Sequence, residues 1–187
     1  MIRIIGGKHR GRMLATPEGE ATRPTSNRAR ESLFNILMHA SWRDDEDGGT
    51  SPLIEARVLD AYAGSGALGL EALSRGAARA VAVDRDPGLA LALESNARAI
   101  GLDAIEVHRG DARRHLERET RDFDVIFADP PYGEDPWPWL LPACAARLSP
   151  GGVVYAEAGR ALEAPEGLVL VRHGRAGQVH YHLYARC

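Results

Sequence analysis

Two patterns of apolar residues divide the chain. Near its start, short apolar pieces alternate with glycine and basic residues in IRIIGGKHRGRML, which predicts a small β-hairpin. The next stretch, RPTSNRARESLFNILMHAS, carries an apolar stripe that includes Leu33 and Phe34, and it predicts a helix with Thr25 or Ser26 as its N-cap. Residues 43–52 are acidic, contain glycine and lack apolar residues, which predicts a mobile surface loop.

From residue 57 onward, strand patterns and helix patterns alternate. Strands are predicted at residues 57–62, 80–84, 105–111, 124–131, 151–158, 167–174 and 177–186. Helices are predicted between them at residues 66–76, 86–101, 112–119 and 139–148. This alternation is typical of an α/β fold with parallel strands, whereas the short GRAG connection requires the last two strands to pair antiparallel. We therefore predict a doubly wound, mostly parallel seven-stranded sheet with a reversed terminal strand, preceded by a hairpin and helix extension.

The composition is that of an ordinary globular protein with one sizeable core. The chain has 187 residues, of which 44% are hydrophobic and 26% charged. No apolar run is long enough for a membrane span and no secretory leader pattern opens the sequence, so we expect a cytoplasmic monomer without a membrane partner. Cys144 and Cys187 form no disulfide framework and are interpreted as reduced thiols. His180 and His182 are interpreted as exposed polar positions, and no metal site is predicted.

Basic charge is concentrated at the beginning of the chain. Residues 1–30 carry seven basic and two acidic side chains, a balance of +5, whereas the whole chain has a net charge of -3. A basic arm on an acidic body is typical of a polyanion-binding face, and the alternative is a solvated surface. The candidate RNA-binding residues are Arg3, Lys8, Arg10, Arg12 and Arg23. We expect residues 1–52 to form a polyanion-facing extension that packs on a second unit at residues 53–187, and the resemblance given below implies that the polyanion is RNA and that the second unit is a catalytic domain.

The first candidate site is a glycine-rich turn that follows the first strand of the sheet. DAYAGSGALG contains Gly64, Gly66 and Gly69 with the spacing G-x-G-x-x-G, which permits a tight turn and close approach of a ligand. The pattern is weak by itself, because it also occurs in dinucleotide sites and in ordinary loops. Asp60 stands just before it, where a buried negative charge would oppose a pyrophosphate but would suit an ammonium or sulfonium group.

Two further aspartates, at the ends of the next two strands, indicate which other groups the ligand carries. Asp84 ends the second strand, at a distance from the glycines that suits hydrogen bonds from ribose hydroxyls. Asp111, with Ala112 beside it, follows the third strand and could accept a hydrogen bond from the exocyclic amine of adenine. Each aspartate alone could be a helix N-cap. S-adenosylmethionine contains all four groups, an ammonium, a sulfonium, a ribose and an adenine, so we predict it as the cofactor.

The second candidate site is the DPPY sequence, which ends the fourth strand. An exocyclic aromatic amine is a poor nucleophile because its lone pair is delocalised into the ring. The Asp129 carboxylate and the Pro130 carbonyl could accept both amine hydrogens, while the double proline Pro130-Pro131 limits their movement. Such acceptors favour a pyramidal nitrogen and stabilise its developing positive charge. Tyr132 could stack on the base. The alternative is a strand-terminating turn with a capping aspartate.

These residues together resemble the class I S-adenosylmethionine-dependent methyltransferases that modify exocyclic amines. The segments RIIGGKHRGRML, RPTSNRARESLFNIL, DAYAGSGALGLEALSRGA and GQVHYHLY are similar to the bacterial 16S ribosomal RNA guanine-N2 methyltransferase family, so the resemblance spans nearly the whole chain. It implies a Rossmann-like fold and methylation of N2 of a guanine in 16S rRNA, on an assembled or assembling 30S subunit. It also implies that the RPTSNRARESLF segment packs over the methionine end of the cofactor, with Thr25, Arg28 and Phe34 at the positions concerned.

Three other functions fit parts of the sequence. A tRNA guanine or DNA adenine-N6 methyltransferase would use the same chemistry, although the small chain leaves little room for a DNA target-recognition domain. A nicotinamide-dependent oxidoreductase would use the glycine turn but would leave Asp60 and DPPY unexplained. A non-enzymatic RNA-binding module would need only the basic arm. The preference for guanine over adenine or cytosine follows from the resemblance and from no residue identified in the sequence.

Overall fold

The computed structural model describes residues 2–17, 27–39, 51–131 and 133–186. The strands are β1 Ile2–Arg3, β2 Met13–Leu14, β3 Arg57–Asp60, β4 Arg79–Asp84, β5 Ile105–Arg109, β6 Phe123–Ala128, β7 Leu148–Ala158, β8 Leu168–Ala176 and β9 Val179–Arg186. The helices are α1 Asn27–Met38, α2 Ala67–Ser74, α3 Pro87–Ile100, α4 Ala112–Arg118 and α5 Trp137–Ala146. Element types agree with the predictions, and the differences are confined to the ends of elements.

Seven strands form one sheet in the order β5-β4-β3-β6-β7-β9-β8. The five strands from β5 to β7 are parallel, and β9 runs antiparallel to both of its neighbours. The predicted doubly wound sheet with a reversed terminal strand is therefore confirmed. The connection between β8 and β9 is shorter than the predicted GRAG, because β8 continues to Ala176 and leaves only residues 177 and 178 between the strands.

Apolar side chains cover both faces of this sheet. One cluster includes Ile126 and Val154 with residues of α5, and the other includes Phe127 and Tyr155 with residues of α1 and α2. Strands buried on both faces need nearly continuous apolar runs, which is why FDVIFA and VVYA form central strands. Pairing of β3 with β6 places Asp60 opposite Phe127, so the carboxyl ends of these two strands are neighbours, as the sequence predicted.

Local capping explains where the best-defined helix begins and ends. The Asp86 side chain accepts hydrogen bonds from the backbone N–H groups of Gly88 and Leu89, which satisfies donors at the start of α3. At the other end, Gly101 adopts a φ of 75°, and its backbone N–H bonds to carbonyls of the last turn. This helix end was predicted at Gly101. The N-cap predicted for α1, Thr25 or Ser26, lies outside the described residues.

The N-terminal hairpin is docked on α2 by a buried carboxylate. Both oxygens of Glu71 accept backbone hydrogen bonds from the arm, at 2.7 Å from the nitrogens of Ile5 and Gly6. Two arginines flank the same carboxylate, with Nε of Arg75 at 2.7 Å and Nε of Arg30 at 4.0 Å. Below this polar layer the hairpin contributes its apolar side chains to a small core with α2 and α3: Ile2, Ile4, Leu14, Leu70, Ala97 and Ile100.

Two sequence expectations are corrected here. The surface loop predicted at residues 43–52 ends in buried residues, because the Ser51 hydroxyl donates to the Leu37 carbonyl at 2.9 Å and so holds the chain against α1. Residues 43–50 lie outside the described part of the chain. His182 was expected to be exposed but is fully buried, with its Nε2 accepting a hydrogen bond from the Leu162 backbone N–H at 3.0 Å. Among the described residues, no helix has the length and apolarity to cross a membrane.

Candidate active site

A cavity of about 1010 Å³ lies along the carboxyl ends of β3, β4, β5 and β6. In a doubly wound sheet this edge is where ligands bind, and the volume is at the upper limit of about 300–1,000 Å³ that small-molecule sites usually have. The cavity collects residues from every predicted motif of the catalytic domain: Asp60, Gly64, Asp84, Asp111, Ala112, Asp129, Pro130 and Pro131.

The glycine turn forms the floor of the cavity between β3 and α2. Gly64 and Gly66 have φ values of 53° and 87°, a conformation that glycine adopts without strain. At Gly66 a Cβ atom would lie 2.7 Å from Cγ of Leu93, so the turn also requires close approach to α3. The backbone nitrogen of Gly64 donates to Oδ2 of Asp84 at 2.7 Å, which ties the turn to the end of β4.

Asp60 is a buried carboxyl group directly beneath this turn. It is 1% exposed, and its Oδ2 accepts a hydrogen bond from the Gly69 backbone nitrogen at 3.0 Å. Burial raises the pKa of Asp60 to about 7, with the Asp84 carboxylate adding to the rise, while hydrogen bonds from the backbone of Gly69 and Tyr62 act in the opposite direction. A cation placed beside Asp60 would favour the ionised carboxylate, so this group is prepared for a positively charged ligand.

Asp84 and Asp111 shape the backbone as well as facing the cavity. Asp84 accepts from the backbone nitrogens of Gly64 and Asp86 through different oxygens. Asp111 is exposed, and its Oδ1 accepts from the Arg114 nitrogen at 3.0 Å, so it is the N-cap of α4. The N-cap alternative therefore holds for Asp111, but an ionised carboxylate has about four acceptor positions, so the cap leaves it able to accept from a ligand.

The Asp129-Pro130-Pro131 sequence borders the same cavity on the side of β6. Asp129 is half-buried, Pro130 is buried and Pro131 is exposed, so the polypeptide turns from the core to the surface within three residues. Tyr132, the last residue of the motif, lies outside the described residues. Asp60 ends β3 and Asp129 follows the neighbouring β6, which places the predicted cofactor carboxylate and the predicted amine acceptor at one edge of the sheet.

Several predicted site residues lie away from the cavity lining. Phe34 is fully buried, with its ring centroid 5.8 Å from that of Phe127, and Arg28 is exposed in a separate shallow groove beside Arg172. Gly69 contacts Asp60 from the first turn of α2. Thr25, which the resemblance also implied, is not among the described residues.

The basic arm carries its charges on the surface of the hairpin. Arg3, Lys8, Arg10 and Arg12 are all exposed. The backbone of Lys8 is nevertheless fixed, because its N–H donates to the Ser74 carbonyl at 2.7 Å. Arg23 lies outside the described residues. The hairpin thus presents its basic side chains to solvent from a backbone that α2 holds in place.

Among the cavity residues that the sequence did not single out, two form a pair beside Asp111. Trp139 of α5 and Arg113 of α4 both line the cavity near Asp111, with the guanidinium carbon 5.6 Å from the centre of the indole ring. The contact between Arg113 and Trp139 depends on the packing of α4 against α5, so the sequence could not predict it. A tryptophan in the helix after DPPY was the one signal in the sequence for an aromatic residue near the site. Among the described residues, no group of three or more potential metal ligands is assembled.

Two ion pairs cross the rim of the cavity next to the proline motif. Arg85, after β4, pairs with Glu134 at 2.8 Å, and Arg160, after β7, contacts both oxygens of Asp135 at 3.1 and 3.2 Å. These four side chains are exposed, and each pair contributes little to stability, about 0–1 kcal/mol. Their effect is to hold the segment after the proline motif between the loops that follow β4 and β7.

Known proteins are similar to this chain over nearly its whole length. The family model described as Conserved hypothetical protein 95 matches residues 2–185. The chain is 35% identical to ribosomal RNA small subunit methyltransferase D of Escherichia coli strain K12, over 99% of this chain and 90% of that protein. It is 37% identical to the putative rRNA methyltransferase YlbH of Bacillus subtilis strain 168, over 99% of both chains.

Solved structures show the same fold. The putative methyltransferase yhhF from Escherichia coli superposes with a TM-score of 0.85 at 34% identity, covering 99% of this chain and 97% of that one. An RNA methyltransferase from Salinibacter ruber, solved in complex with S-adenosyl-L-homocysteine, has a TM-score of 0.61 at 20% identity over 87% of this chain and 93% of its own. The second likeness concerns the fold alone.

Proposed function

The chain belongs to the Conserved hypothetical protein 95 family of S-adenosylmethionine-dependent methyltransferases, and on that premise we propose that it methylates the exocyclic N2 amine of one guanine in 16S rRNA within the 30S subunit. The single observation that carries this proposal is the meeting of Asp60 and Asp129 at one cavity. Asp60 suits a cationic methyl donor and Asp129 suits an amine acceptor, and the two follow adjacent parallel strands.

The residues of the cavity fit the cofactor group by group. Asp60 would face its cationic methionine end, Asp84 its ribose hydroxyls, and Asp111 the adenine amine, with Trp139 providing an apolar wall. Gly64 lines the cavity and no atom lies within 4 Å of the position that a Cβ would occupy, so a ligand could approach its backbone directly. When bound, S-adenosylmethionine supplies a methyl group on a positively charged sulfur. The oxidoreductase alternative is inconsistent with membership of a methyltransferase family.

The remaining chemistry belongs to the chain's own residues. Asp129 and the Pro130 carbonyl would accept the two amine hydrogens, which turns the nitrogen lone pair out of conjugation with the ring. The pairing of Ala128 with Ala156 and the two prolines fix these acceptors before the base arrives. Positive charge that develops on the nitrogen is stabilised by the carboxylate, and preorganised electrostatics of this kind contribute most to catalysis.

Labelled methyl incorporation into different nucleic acids tests this proposal. Purified protein would be incubated with undermodified 30S subunits, 70S ribosomes, tRNA and duplex DNA, and labelled RNA would be mapped by mass. We expect labelling concentrated in 30S subunits, at N2 of a single guanine. If tRNA or DNA is labelled most strongly, the protein is instead a tRNA guanine or a DNA adenine-N6 methyltransferase. No transfer to any of the four would favour the non-enzymatic RNA-binding module.

A further inference from the structure

A row of polar and aromatic residues continues from Asp129 across the sheet, away from the cofactor cavity. Ala128 of β6 pairs with Ala156 of β7, so Asp129 and Glu157 are the next residues on neighbouring parallel strands. Glu157 in turn lies opposite Tyr181 of β9. The phenol of Tyr181 lies across Gly174 of β8, where a Cβ atom would be 2.1 Å from its hydroxyl oxygen.

These side chains share one face of the sheet. Phe127 and Tyr155 are paired partners in the cluster that faces α1, and alternation along a strand puts Glu157 on the same face as Tyr155. The Tyr155 hydroxyl donates to Oε1 of Glu157 at 2.6 Å. Burial, followed by the nearby carboxylates of Glu157 and Asp129, holds the pKa of the Tyr155 phenol well above its usual value. Both carboxylates are therefore close to one phenol.

Glu157 is consequently a positioned carboxylate rather than a free surface acid. Tyr155 is 4% exposed, and its protonated hydroxyl fixes the Glu157 carboxylate through the hydrogen bond between them. Glu157 itself is half-buried. Glu157 is absent from the lining of the cofactor cavity, which ends at Asp129 and the prolines on this side. A nucleobase whose amine is held by Asp129 would extend away from the cofactor, and Glu157 lies near the end of the next strand, β7, in that direction.

The chemistry next to the amine differs among the three bases that carry one. In guanine the exocyclic amine lies between two ring nitrogens, N1, which bears a hydrogen, and N3, which carries a lone pair; the N1 side lies on the Watson–Crick edge. In adenine and cytosine the corresponding ring nitrogen is N1 or N3 and carries a lone pair instead. An ionised carboxylate only accepts hydrogen bonds, so it binds the guanine edge and repels the other two.

We propose that Glu157 is the specificity-determining residue that selects guanine, by accepting the hydrogen of N1 while Asp129 holds the adjacent N2 amine. This inference rests on the proposed function, since it assumes that Asp129 binds the target amine. Tyr155 is a positioning residue, because its hydroxyl fixes the Glu157 carboxylate. Glutamine at this position would present a donor as well as an acceptor, and the donor matches the lone pair of adenine.

The test compares guanine with adenine at the target position. 30S subunits would be reconstituted from 16S transcripts that carry either base at the mapped nucleotide, and kcat/KM would be measured for wild type, Glu157→Gln and Glu163→Gln. In Glu157→Gln we expect kcat/KM on guanine to fall roughly 10- to 100-fold and the guanine-to-adenine ratio to fall by at least about tenfold. Glu163 is an exposed acid in the segment after β7 and serves as the matched control, with both values unchanged.

Separate outcomes identify which idea fails. Cofactor binding by calorimetry should be unchanged in Glu157→Gln, which shows that the variant is folded. If wild type methylates guanine and the variant keeps the full guanine-to-adenine ratio, Glu157 does not select the base, while the proposed function stands. If wild type methylates no rRNA guanine, the proposed function and the proposed role of Glu157 are both wrong. Tyr155→Phe should lower the ratio in the same direction by a smaller factor, and an unchanged ratio would contradict its positioning role.

Discussion

Among single residues, Asp60 is a buried carboxyl group whose ionisation costs stability. Its pKa in the folded protein, about 7, lies above its ordinary value of 3.8, so the folded state holds this proton more tightly than the unfolded chain does. The contribution of Asp60 to stability is therefore full below about pH 4, declines as pH rises towards 7, and is constant above that. A carboxylate so placed destabilises the free protein at neutral pH, and a cationic ligand beside it would offset that loss.

We expect Asp60→Asn to be more stable than wild type at pH 8 and to bind S-adenosylmethionine much more weakly. The asparagine oxygen can still accept from the Gly69 N–H, whereas the buried charge is gone. The stability advantage of the variant should grow by on the order of 2–3 kcal/mol between pH 5 and pH 8. Urea unfolding at the two pH values, with calorimetry of cofactor binding, checks this. A pH-independent difference would mean that Asp60 is ionised in the fold throughout.

Asp129 is expected to act on the chemical step rather than on cofactor binding. Asp129→Ala removes one of the two amine acceptors but leaves the glycine turn and Asp60 intact. Loss of a preorganised acceptor of this type costs about 10²–10³ in kcat. Single-turnover methylation of 30S subunits measures that loss, and calorimetry should show cofactor affinity within a few-fold of wild type. If the variant has a normal kcat, Asp129 does not hold the amine of the target base.

At the scale of elements, the N-terminal hairpin depends on one buried ion group. Glu71 is fully buried, accepts from two backbone nitrogens of the arm and lies between the guanidinium groups of Arg30 and Arg75. Within the described part of the chain, Nε and Nη1 of Arg30 are buried without hydrogen-bond partners, which makes the carboxylate more important as a compensating charge. Removing one partner of such a pair leaves an uncompensated charge in the interior.

We expect Glu71→Gln to lower the free energy of unfolding by about 3–5 kcal/mol, because the Arg30 charge stays buried. Glu117→Gln is the matched control, since Glu117 forms an exposed pair with Arg113 one turn away and should change stability by less than about 0.5 kcal/mol. Urea unfolding of both variants gives the comparison. Equal effects of the two substitutions would show that the hairpin is held by its apolar contacts with α2 and α3.

Across the whole molecule, positive charge lies on the hairpin and negative charge lies at the edge of the sheet that holds the cavity. The hairpin exposes Arg10 and Arg12, whereas the cavity collects aspartates that would repel a phosphate backbone. RNA phosphates should therefore bind the hairpin, and only a base should enter beside Asp129. Phosphate binding of this kind releases counterions and weakens steeply with salt.

We expect Arg10→Glu combined with Arg12→Glu to weaken RNA binding and to reduce the salt slope, log K against log salt, by roughly 1–2. Arg114→Glu combined with Arg118→Glu changes the net charge equally and is the control, because both side chains are exposed on α4, whose Leu116 packs with α5 on the face of the sheet away from α2. Binding of 16S rRNA fragments at several salt concentrations measures both. Equal slopes for the two double variants would show that the hairpin arginines are only solvated.

Local sequence patterns were enough to predict the alternation of strands and helices, the glycine turn, and a carboxylate at or just after the end of each of β3, β4, β5 and β6. Such features are local, because strand ends and turns are fixed by neighbouring residues, and parallel strands bring their ends to one edge. Tertiary structure alone decided that Arg30 is buried and Arg28 exposed, since neighbouring arginines on one helix differ only in what packs against them. It also decided that Glu157 and Tyr181 continue the row from Asp129, because strand order joins residues far apart in the chain.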